Sequence, residues 1–100
     1  QAGECDLQDL AYGNGNFKSR FVEQKRTFEP ENIGPYIQLH MNRCILCYRC
    51  VKLADQLTPE RVHGVVGRGD HAQISTYINR AIDNDFSGNV IDVCPVGALT

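Results

Sequence analysis

The sequence contains no tryptophan and one methionine, and its longest uninterrupted apolar runs are only a few residues long. A helix that crosses a bilayer needs about 20 apolar residues, so we expect no direct membrane insertion. An excess of positive charge is also missing, since ten lysines and arginines stand against twelve acidic residues. Because the phosphate backbone of nucleic acids attracts clustered basic side chains, nucleic acid is not an expected partner.

The first residues, Gln1 to Cys5, include no initiator methionine and no basic segment followed by an apolar one. That pattern would mark a signal peptide, so we expect residue 1 to be a processing or excision boundary. The cysteine count of five is odd, and three of the five fall within seven residues, 44–50. Such close CxxC spacing indicates a metal or redox site in a reducing compartment, because a disulfide framework needs pairs.

The spacing of apolar residues predicts a small α+β protein in two parts, 1–35 and 36–100. The first part is predicted to be a helix over 4–13 followed by an extended surface loop over 14–35, where proline, glycine and mixed charges interrupt any periodicity. The second part is predicted to contain a strand at 37–39, a helix at 48–57, a β-hairpin at 62–76, one or two helical turns within 77–85, and a last short helix at 89–93.

The close group of cysteines opens a run that is characteristic of bacterial ferredoxins. Those proteins carry CxxCxxCxxxCP twice, and the fourth cysteine of each run ligates the cluster that the other run mainly binds. The first run begins with Cys44, Cys47 and Cys50, but Ala54 and Asp55 stand where the final Cys-Pro belongs. The first run therefore lacks the ligand that it would contribute to a second cluster.

A second run is recognisable only by its end, Cys94 and Pro95. At the same spacing, its first three positions are Asn84, Ser87 and Val90, none of which binds iron as a thiolate does. The loss is therefore coherent, since every ligand of one cluster is kept and every ligand of the other is gone. The predicted ligands of the retained 4Fe-4S cluster are Cys44, Cys47, Cys50 and Cys94, and the vacated positions are 54, 84, 87 and 90.

The fold that follows from this repeat is ferredoxin-like α+β, with two β-α-β halves related by a pseudo-twofold axis, one retained 4Fe-4S site and one lost site. Zinc is the alternative, because four cysteines also make a common tetrahedral zinc site. Zinc sites usually combine one CxxC with a second CxxC or with histidines, whereas CxxCxxC with a remote Cys-Pro is the iron–sulfur pattern.

Four segments of the sequence resemble the large iron–sulfur subunit of respiratory complex I, the 75 kDa-type subunit of NADH:quinone oxidoreductase. They are GECDLQD at 3–9, RCILCYRCV at 43–51, GRG at 67–69 and FSGNVIDVCPVGALT at 86–100. The resemblance implies that a 2Fe-2S cluster and a second 4Fe-4S cluster belong to the full-length subunit. It also implies that Cys5 is the last ligand of that second cluster, whose other ligands would lie upstream of Gln1.

The resemblance implies a one-electron carrier domain of NADH:quinone oxidoreductase, with no catalytic centre of its own. Electrons would arrive from NADH through flavin and leave toward quinone. The implied partners are other complex I subunits, notably the flavin- and NADH-binding subunit and the downstream iron–sulfur subunits. The implied location is the peripheral arm, on the cytoplasmic side of the bacterial inner membrane or the matrix side of the mitochondrial one.

Five further residues are expected to form the environment of the cluster. Arg43 and Arg49 flank the cysteine loop, where positive charge would raise the reduction potential, although solvation or pairing with carboxylates is the simpler interpretation. Tyr48 and Val51 are expected to shield the cluster from water, and Pro95 to set the turn after the last cysteine.

Three histidines, His40, His63 and His71, are expected to be surface or loop residues and not ligands. Three other functions stay open at this point. The protein could belong to the electron-transfer subunit of a soluble NAD-linked hydrogenase or formate dehydrogenase, although such relatives often keep both clusters. It could also be a free ferredoxin-like carrier, or a zinc-stabilised binding module without a redox role.

Overall fold

The computed structural model describes residues 3–77 and 80–100, and these form an α+β arrangement of short elements. The helices and strands, in chain order, are α1 (Asp6–Asn14), β1 (Glu31–Asn32), β2 (Gln38–Leu39), α2 (Arg49–Leu57), β3 (His63–Val66), β4 (Gln73–Thr76) and α3 (Ser87–Val93), with single 3-10 turns at Met41–Arg43 and Gly69–His71. No helix in these ranges is long and apolar enough to cross a membrane.

Helix α1 stands apart from the rest of the described residues. It ends at Gly15, whose N–H donates to the Ala11 carbonyl at 2.9 Å. None of its residues is buried, and Leu7 and Leu10 are 77% and 63% exposed. Isolated helices shorter than about 12–15 residues are marginal in water, so nothing in the described residues accounts for the stability of α1.

The predicted loop after α1 has no regular structure until β1, and its far end is fastened to the cysteine-bearing part of the protein. The side chain of Asn42 accepts a hydrogen bond from the Phe28 N–H at 2.9 Å and donates one to the Phe28 carbonyl at 2.7 Å. Arg26 stacks on the Phe28 ring at 4.7 Å and donates to the Asp70 carbonyl and the Gln73 side chain. This loop therefore reaches the sheet by specific side-chain contacts.

Both sheets are two-stranded and antiparallel, β1 with β2 and β3 with β4. The carboxyl-terminal residues add a further pairing. Gln38 and Thr100 exchange backbone hydrogen bonds of 2.7 and 3.0 Å, and Leu39 forms a β-bridge with Leu99. The last residues thus lie beside β2.

These pairings follow a twofold pattern. The order strand, helix, strand occurs first as β2, α2 and β3, and again as β4, α3 and the extended carboxyl-terminal residues. If the two halves are exchanged, the pairing of β2 with the carboxyl-terminal residues becomes the pairing of β4 with β3, and both pairings are observed. The helices α2 and α3 pack against each other. The strand order is therefore that of two β-α-β halves.

The core lies between these helices and strands. Ile82 is its most deeply buried member, at 1% exposure, although it belongs to no helix or strand. The buried cluster that surrounds it consists of Ile33, Ile37, Leu39, Met41, Cys50, Val62, Ile74, Val90 and Leu99.

The prediction of helical turns within 77–85 is wrong for the described part of that segment. The Arg80 N–H closes a single turn on the Tyr77 carbonyl at 3.1 Å, but no helix follows it in the described residues. The Tyr77 N–H donates to the Val62 carbonyl at 2.8 Å and the Ile82 N–H to the Ile33 carbonyl at 2.7 Å, so the backbone pairs mainly with distant residues. Ile78, which contributed to the predicted spacing, lies outside the described residues. Long-range pairing and the burial of Ile82 override the local helical spacing here.

Gly34 permits the close approach of these two backbone segments. A Cβ at this position would lie 2.5 Å from the Ile82 carbonyl oxygen. We expect Gly34→Ala to lower the free energy of unfolding by about 1–3 kcal/mol, the usual cost of overpacking. Urea unfolding followed by circular dichroism measures this cost. The matched control is Gly64→Ala, since nothing lies within 4 Å of a Cβ there; equal stability of the two variants would contradict the prediction.

Candidate metal centre

Four cysteines from two distant parts of the sequence line one cavity. Cys44, Cys47 and Cys50 reach it from the loop before α2 and from the first turn of that helix, and Cys94 reaches it from the residue after α3. The cavity contains about 360 Å³ of atom-free space, part of which is open to solvent. Its other walls are almost entirely apolar, formed by Leu39, Ile45, Tyr48, Ile74, Val96, Ala98 and Leu99.

The helices bring these residues together because the amino end of α2 and the carboxyl end of α3 both meet the cavity. Cys50 is the second residue of α2, and the Cys94 N–H closes the last turn of α3 on the Ile91 carbonyl at 3.1 Å. Arg43 links the two cysteine segments, since its guanidinium donates to the Gly97 carbonyl at 3.4 Å. The free amide N–H groups at the start of a helix attract anions. The amino end of α2 therefore stabilises negative charge on a nearby thiolate or sulfide.

The backbone of the cysteine loop adopts an unusual conformation. Leu46 and Tyr48, on either side of Cys47, have φ values of 53° and 61°, the left-handed region that residues other than glycine rarely enter. The Leu46 N–H donates to the Cys44 sulfur at 3.4 Å, and the Val51 N–H forms a hydrogen bond with Cys50. The left-handed conformation of Leu46 therefore directs its amide at a cysteine sulfur, and hydrogen bonds of this kind tune iron–sulfur clusters.

The strain at Leu46 leads to a prediction about side-chain shape. A β-branched residue tolerates the left-handed region poorly, so we expect Leu46→Val to destabilise the metal-loaded protein by about 1–2 kcal/mol. Leu46→Gly should have no such strain. Thermal unfolding of the loaded variants tests this, with Ile45→Val as the neighbouring control at a 61% exposed position. Equal losses for Leu46→Val and Ile45→Val would show that the backbone conformation carries no cost.

Burial makes two of the thiols, those of Cys44 and Cys50, harder to ionise by raising their pKa values. Burial raises the pKa of Cys50 to about 11, the hydrogen bond from Val51 opposes the rise, and the neighbouring cysteines add to it. The pKa of Cys44 is raised as well, first by burial and then by the proximity of Cys94 and Cys47, while the Leu46 N–H lowers it. Four thiols packed in an apolar cavity fit a bound group that carries positive metal charge, because metal ligation deprotonates cysteine.

The other residues that were predicted to surround the cluster differ in exposure and in whether they line this cavity. Tyr48 lines it and is 40% exposed. Val51 is half-buried and lines a groove beside β3 and β4, not this cavity. Arg49 is exposed, and Pro95 is an exposed residue in the bend that follows Cys94.

Cys5 does not share the cavity. It is half-buried at the start of α1, where its carbonyl accepts the Asp9 N–H at 3.0 Å. Among the described residues, the lining of that cavity includes Cys44, Cys47, Cys50 and Cys94 and does not include Cys5. The assignment of Cys5 to another site stays a prediction.

The vacated positions also converge. Ala54, Asn84 and Val90 line a second, smaller cavity, and Ser87 is buried on α3 with 8% exposure. The side chains that close this cavity are mainly apolar, including Leu53, Leu57, Ile82 and Phe86. The positions obtained by counting back from Cys94 are thus neighbours in space.

His63 also lines this second cavity, and the sequence offered no reason to single it out. It is only 7% exposed, and burial lowers its pKa. The other two histidines are where we expected them, near the surface. His40 is half-buried and hydrogen-bonds Gln38 at 2.8 Å, and His71 is exposed beside Asp70. A lone histidine at the start of a strand carries no sequence signal that distinguishes a buried role from a surface one.

Two β-α-β halves with a cysteine-lined cavity at the ends of their helices define a ferredoxin-like domain. Residues 34–100 match the family model for the ferredoxin-like domain of NADH-quinone oxidoreductase subunit 3. The protein described here belongs to this family.

Curated relatives match the sequence along its whole length. The NADH-ubiquinone oxidoreductase 75 kDa subunit of Reclinomonas americana is 52% identical over 100 residues, which are 100% of this chain and 14% of that protein. The mitochondrial NADH-ubiquinone oxidoreductase 78 kDa subunit of Neurospora crassa is 50% identical over 102 aligned residues, again 100% of this chain and 14% of that protein. The sequence therefore spans only about one seventh of the length of these relatives.

A solved structure is similar in fold. One polypeptide in the crystal structure of an NAD+-reducing [NiFe]-hydrogenase in the H2-reduced state superposes with a TM-score of 0.68 at 30% identity, covering 98% of this chain and 43% of that one. The similarity extends to nearly every residue of this protein, including the segment that precedes β1.

Proposed function

We propose that this protein is a one-electron carrier domain of NADH:quinone oxidoreductase, and that Cys44, Cys47, Cys50 and Cys94 hold one 4Fe-4S cluster. The observation that carries the proposal is the convergence of the CxxCxxC loop and the remote Cys-Pro on one apolar cavity. The bound cluster would supply reversible one-electron transfer. No substrate group needs to be activated here, so no catalytic residue is assigned.

The spacing of the thiols favours a cluster over zinc. The four cysteines surround one space, three from a CxxCxxC loop and one from a remote Cys-Pro. Tetrahedral zinc sites usually combine one CxxC with a second CxxC or with histidines, whereas a cubane binds each thiolate at a separate corner and uses this spacing.

The protein itself would do three things for the cluster. Its left-handed loop directs the Leu46 N–H at the Cys44 sulfur, its apolar walls exclude water, and the packed helices hold the Cys50 and Cys94 segments together. Burial, hydrogen bonds to sulfur and nearby charge set the potential of such clusters within about −700 to +450 mV. These are the means by which this domain would match its potential to its neighbours.

The electron route follows from the relatives' names, which state NADH and ubiquinone as the reacting pair. We propose that electrons reach this domain from the flavin- and NADH-binding subunit and leave through downstream iron–sulfur subunits. A location in the peripheral arm, on the cytoplasmic or matrix side of the membrane, is consistent with helices that are too short to cross a bilayer in the described ranges.

Cys5 is proposed to ligate a second 4Fe-4S cluster, with its other ligands supplied by residues upstream of Gln1 in a full-length subunit. Its separation from the four-cysteine cavity supports this assignment, because the first cluster is complete without it. A 2Fe-2S cluster is proposed for the full-length subunit on the family resemblance alone.

The second candidate is the electron-transfer subunit of an NAD-linked hydrogenase, since the similar solved structure carries that title. That alternative keeps the same chemistry and changes only the source of electrons. The match to the NADH-quinone oxidoreductase family over residues 34–100, together with the vacated positions 84, 87 and 90, favours the complex I assignment.

The test is the iron and acid-labile sulfide content of anaerobically prepared protein, with EPR spectra before and after reduction by dithionite. About four of each per polypeptide, and an EPR signal that appears on reduction, are expected for one 4Fe-4S cluster. Zinc without sulfide would overturn the proposal and leave a structural metal site in its place.

A further inference from the structure

The wall of the four-cysteine cavity reaches solvent along one short segment, residues 45–48. Of the side chains that line the cavity, Ile45, Cys47 and Tyr48 are exposed, whereas the others are buried or half-buried. Cys47 is also the only exposed one of the four proposed ligands. The left-handed backbone at Leu46 and Tyr48 stands on either side of it. This segment is therefore the side on which the proposed cluster site is open.

The open side is apolar at its centre. Ile45 is 61% exposed and Tyr48 is 40% exposed, and Cys47 lies between them in the sequence. Exposed apolar side chains that are grouped together mark places where another surface packs. Two large apolar side chains beside an exposed ligand thus suit contact with a second surface that excludes water.

Basic side chains border this apolar centre. Arg49 follows Tyr48 directly, and Lys52 lies one helical turn further on, where its N–H donates to the Tyr48 carbonyl at 3.0 Å. Both side chains are exposed. The first carboxylate after the cysteine loop, Asp55, is already paired with Arg61 at 3.5 Å. Since interfaces commonly combine an apolar centre with a polar rim, the matching surface would have an acidic rim.

We propose that residues 45–52 form the face through which electrons are exchanged with the proposed cluster, and that this face docks a redox partner with an apolar centre and an acidic rim. This inference rests on the proposed function, since it requires the cluster in the cavity. Each transfer moves one electron, so that one redox group is oxidised as the other is reduced, and no bond is made or broken. A second copy of this protein fits less well, because a symmetric contact brings two basic rims together.

The experiment follows the oxidation of the reduced, cluster-loaded protein by two cobalt(III) complexes in a stopped-flow spectrometer. The hexaamminecobalt(III) cation and the EDTA–cobalt(III) anion each accept one electron and become cobalt(II), but they carry opposite charges. Arg49→Glu and Lys52→Glu reverse the charge of the rim. Lys18→Glu is the matched control, since it changes the net charge by the same amount in the exposed loop after α1.

We expect Arg49→Glu and Lys52→Glu to slow oxidation by the anion on the order of tenfold and to speed oxidation by the cation, with smaller changes for Lys18→Glu. These differences should vanish in about 1 M salt, where the screening length is about 3 Å. A changed reduction potential would instead shift both rates in the same direction. Equal effects of all three variants, or shifts in one direction only, would overturn the proposed face. A parent protein without iron, sulfide or an EPR signal would overturn the proposed function instead.

A measurement without electron transfer tests what covers the face. Lys52 should be acetylated by acetic anhydride in an isolated full-length subunit and protected in the assembled oxidoreductase, as read by mass spectrometry of its peptide. Protection in the isolated subunit would show that other residues of the same polypeptide cover the face. Equal acetylation in the subunit and in the assembly would show that nothing docks there. Either result would overturn docking of a separate partner.

Discussion

Cys94→Ala is expected to abolish the EPR signal of the reduced protein and to lower iron from about four atoms per polypeptide to substoichiometric levels. This cysteine supplies the only proposed ligand outside the CxxCxxC loop, and it lines the same cavity as the other three. Loss of one thiolate leaves a corner of the cluster open in a partly solvent-accessible space. Since metal binding is coupled to folding, the free energy of unfolding should fall by several kcal/mol.

Cys5→Ala is the matched control for this variant, because Cys5 lies at the start of α1 and outside the cavity. It removes one thiol and should leave the iron content, the sulfide content and the EPR spectrum unchanged. Iron analysis, EPR spectroscopy and thermal unfolding of the parent protein, Cys94→Ala and Cys5→Ala test this prediction. An intact cluster in Cys94→Ala, or its loss in Cys5→Ala, would mean that the fourth ligand is misassigned.

Restoring cysteines at all four vacated positions is expected to raise iron and acid-labile sulfide from about four to about eight per polypeptide. The reason is spatial: Ala54, Asn84 and Val90 line one cavity, and Ser87 is buried on the same helix as Val90. In two-cluster ferredoxins, the fourth cysteine of each run ligates the cluster of the other run. A cysteine introduced at 54 would therefore complete a cluster held mainly by cysteines introduced at 84, 87 and 90. The combined variant changes each of these positions to cysteine.

EPR of the fully reduced variant should then show the magnetic coupling of two neighbouring clusters instead of one isolated signal. Ser87→Cys alone is the control, since a single thiol cannot assemble a second cluster and should leave the first intact. A combined variant that keeps the first cluster but still binds only about four iron atoms would contradict the prediction. It would show that the apolar side chains around Ile82 and Phe86 have closed the lost site.

The local elements of this protein could be predicted from its sequence because they depend on neighbouring residues. The apolar spacing after the cysteine loop predicted α2, and the glycine-bearing turn between alternating segments predicted the hairpin of β3 and β4. Both were confirmed with small differences at their ends. The helix predicted at 89–93 was found as α3, which begins earlier, at Ser87.

Elements that depend on distant partners were predicted less well. The segment around Ile82 has helical spacing, but its amide pairs with the Ile33 carbonyl and its side chain fills the core. Neither fact can be deduced from residues 77–85 themselves, because the competing partner lies about 50 residues earlier in the sequence. Helix α1 was predicted correctly as a helix, but none of its residues is buried, and Leu7 and Leu10 are largely exposed.

The grouping of the cysteines could be proposed from the amino-acid sequence, because the ferredoxin ligand rule is a rule of spacing between residues. Counting from Cys44 and back from Cys94 was enough to propose one retained and one vacated site. The surroundings of those sites could not be predicted in this way. The buried ring of His63, the strained loop at Leu46 and the contact at Gly34 are known only from the folded structure, because they arise from packing between segments that are remote in sequence.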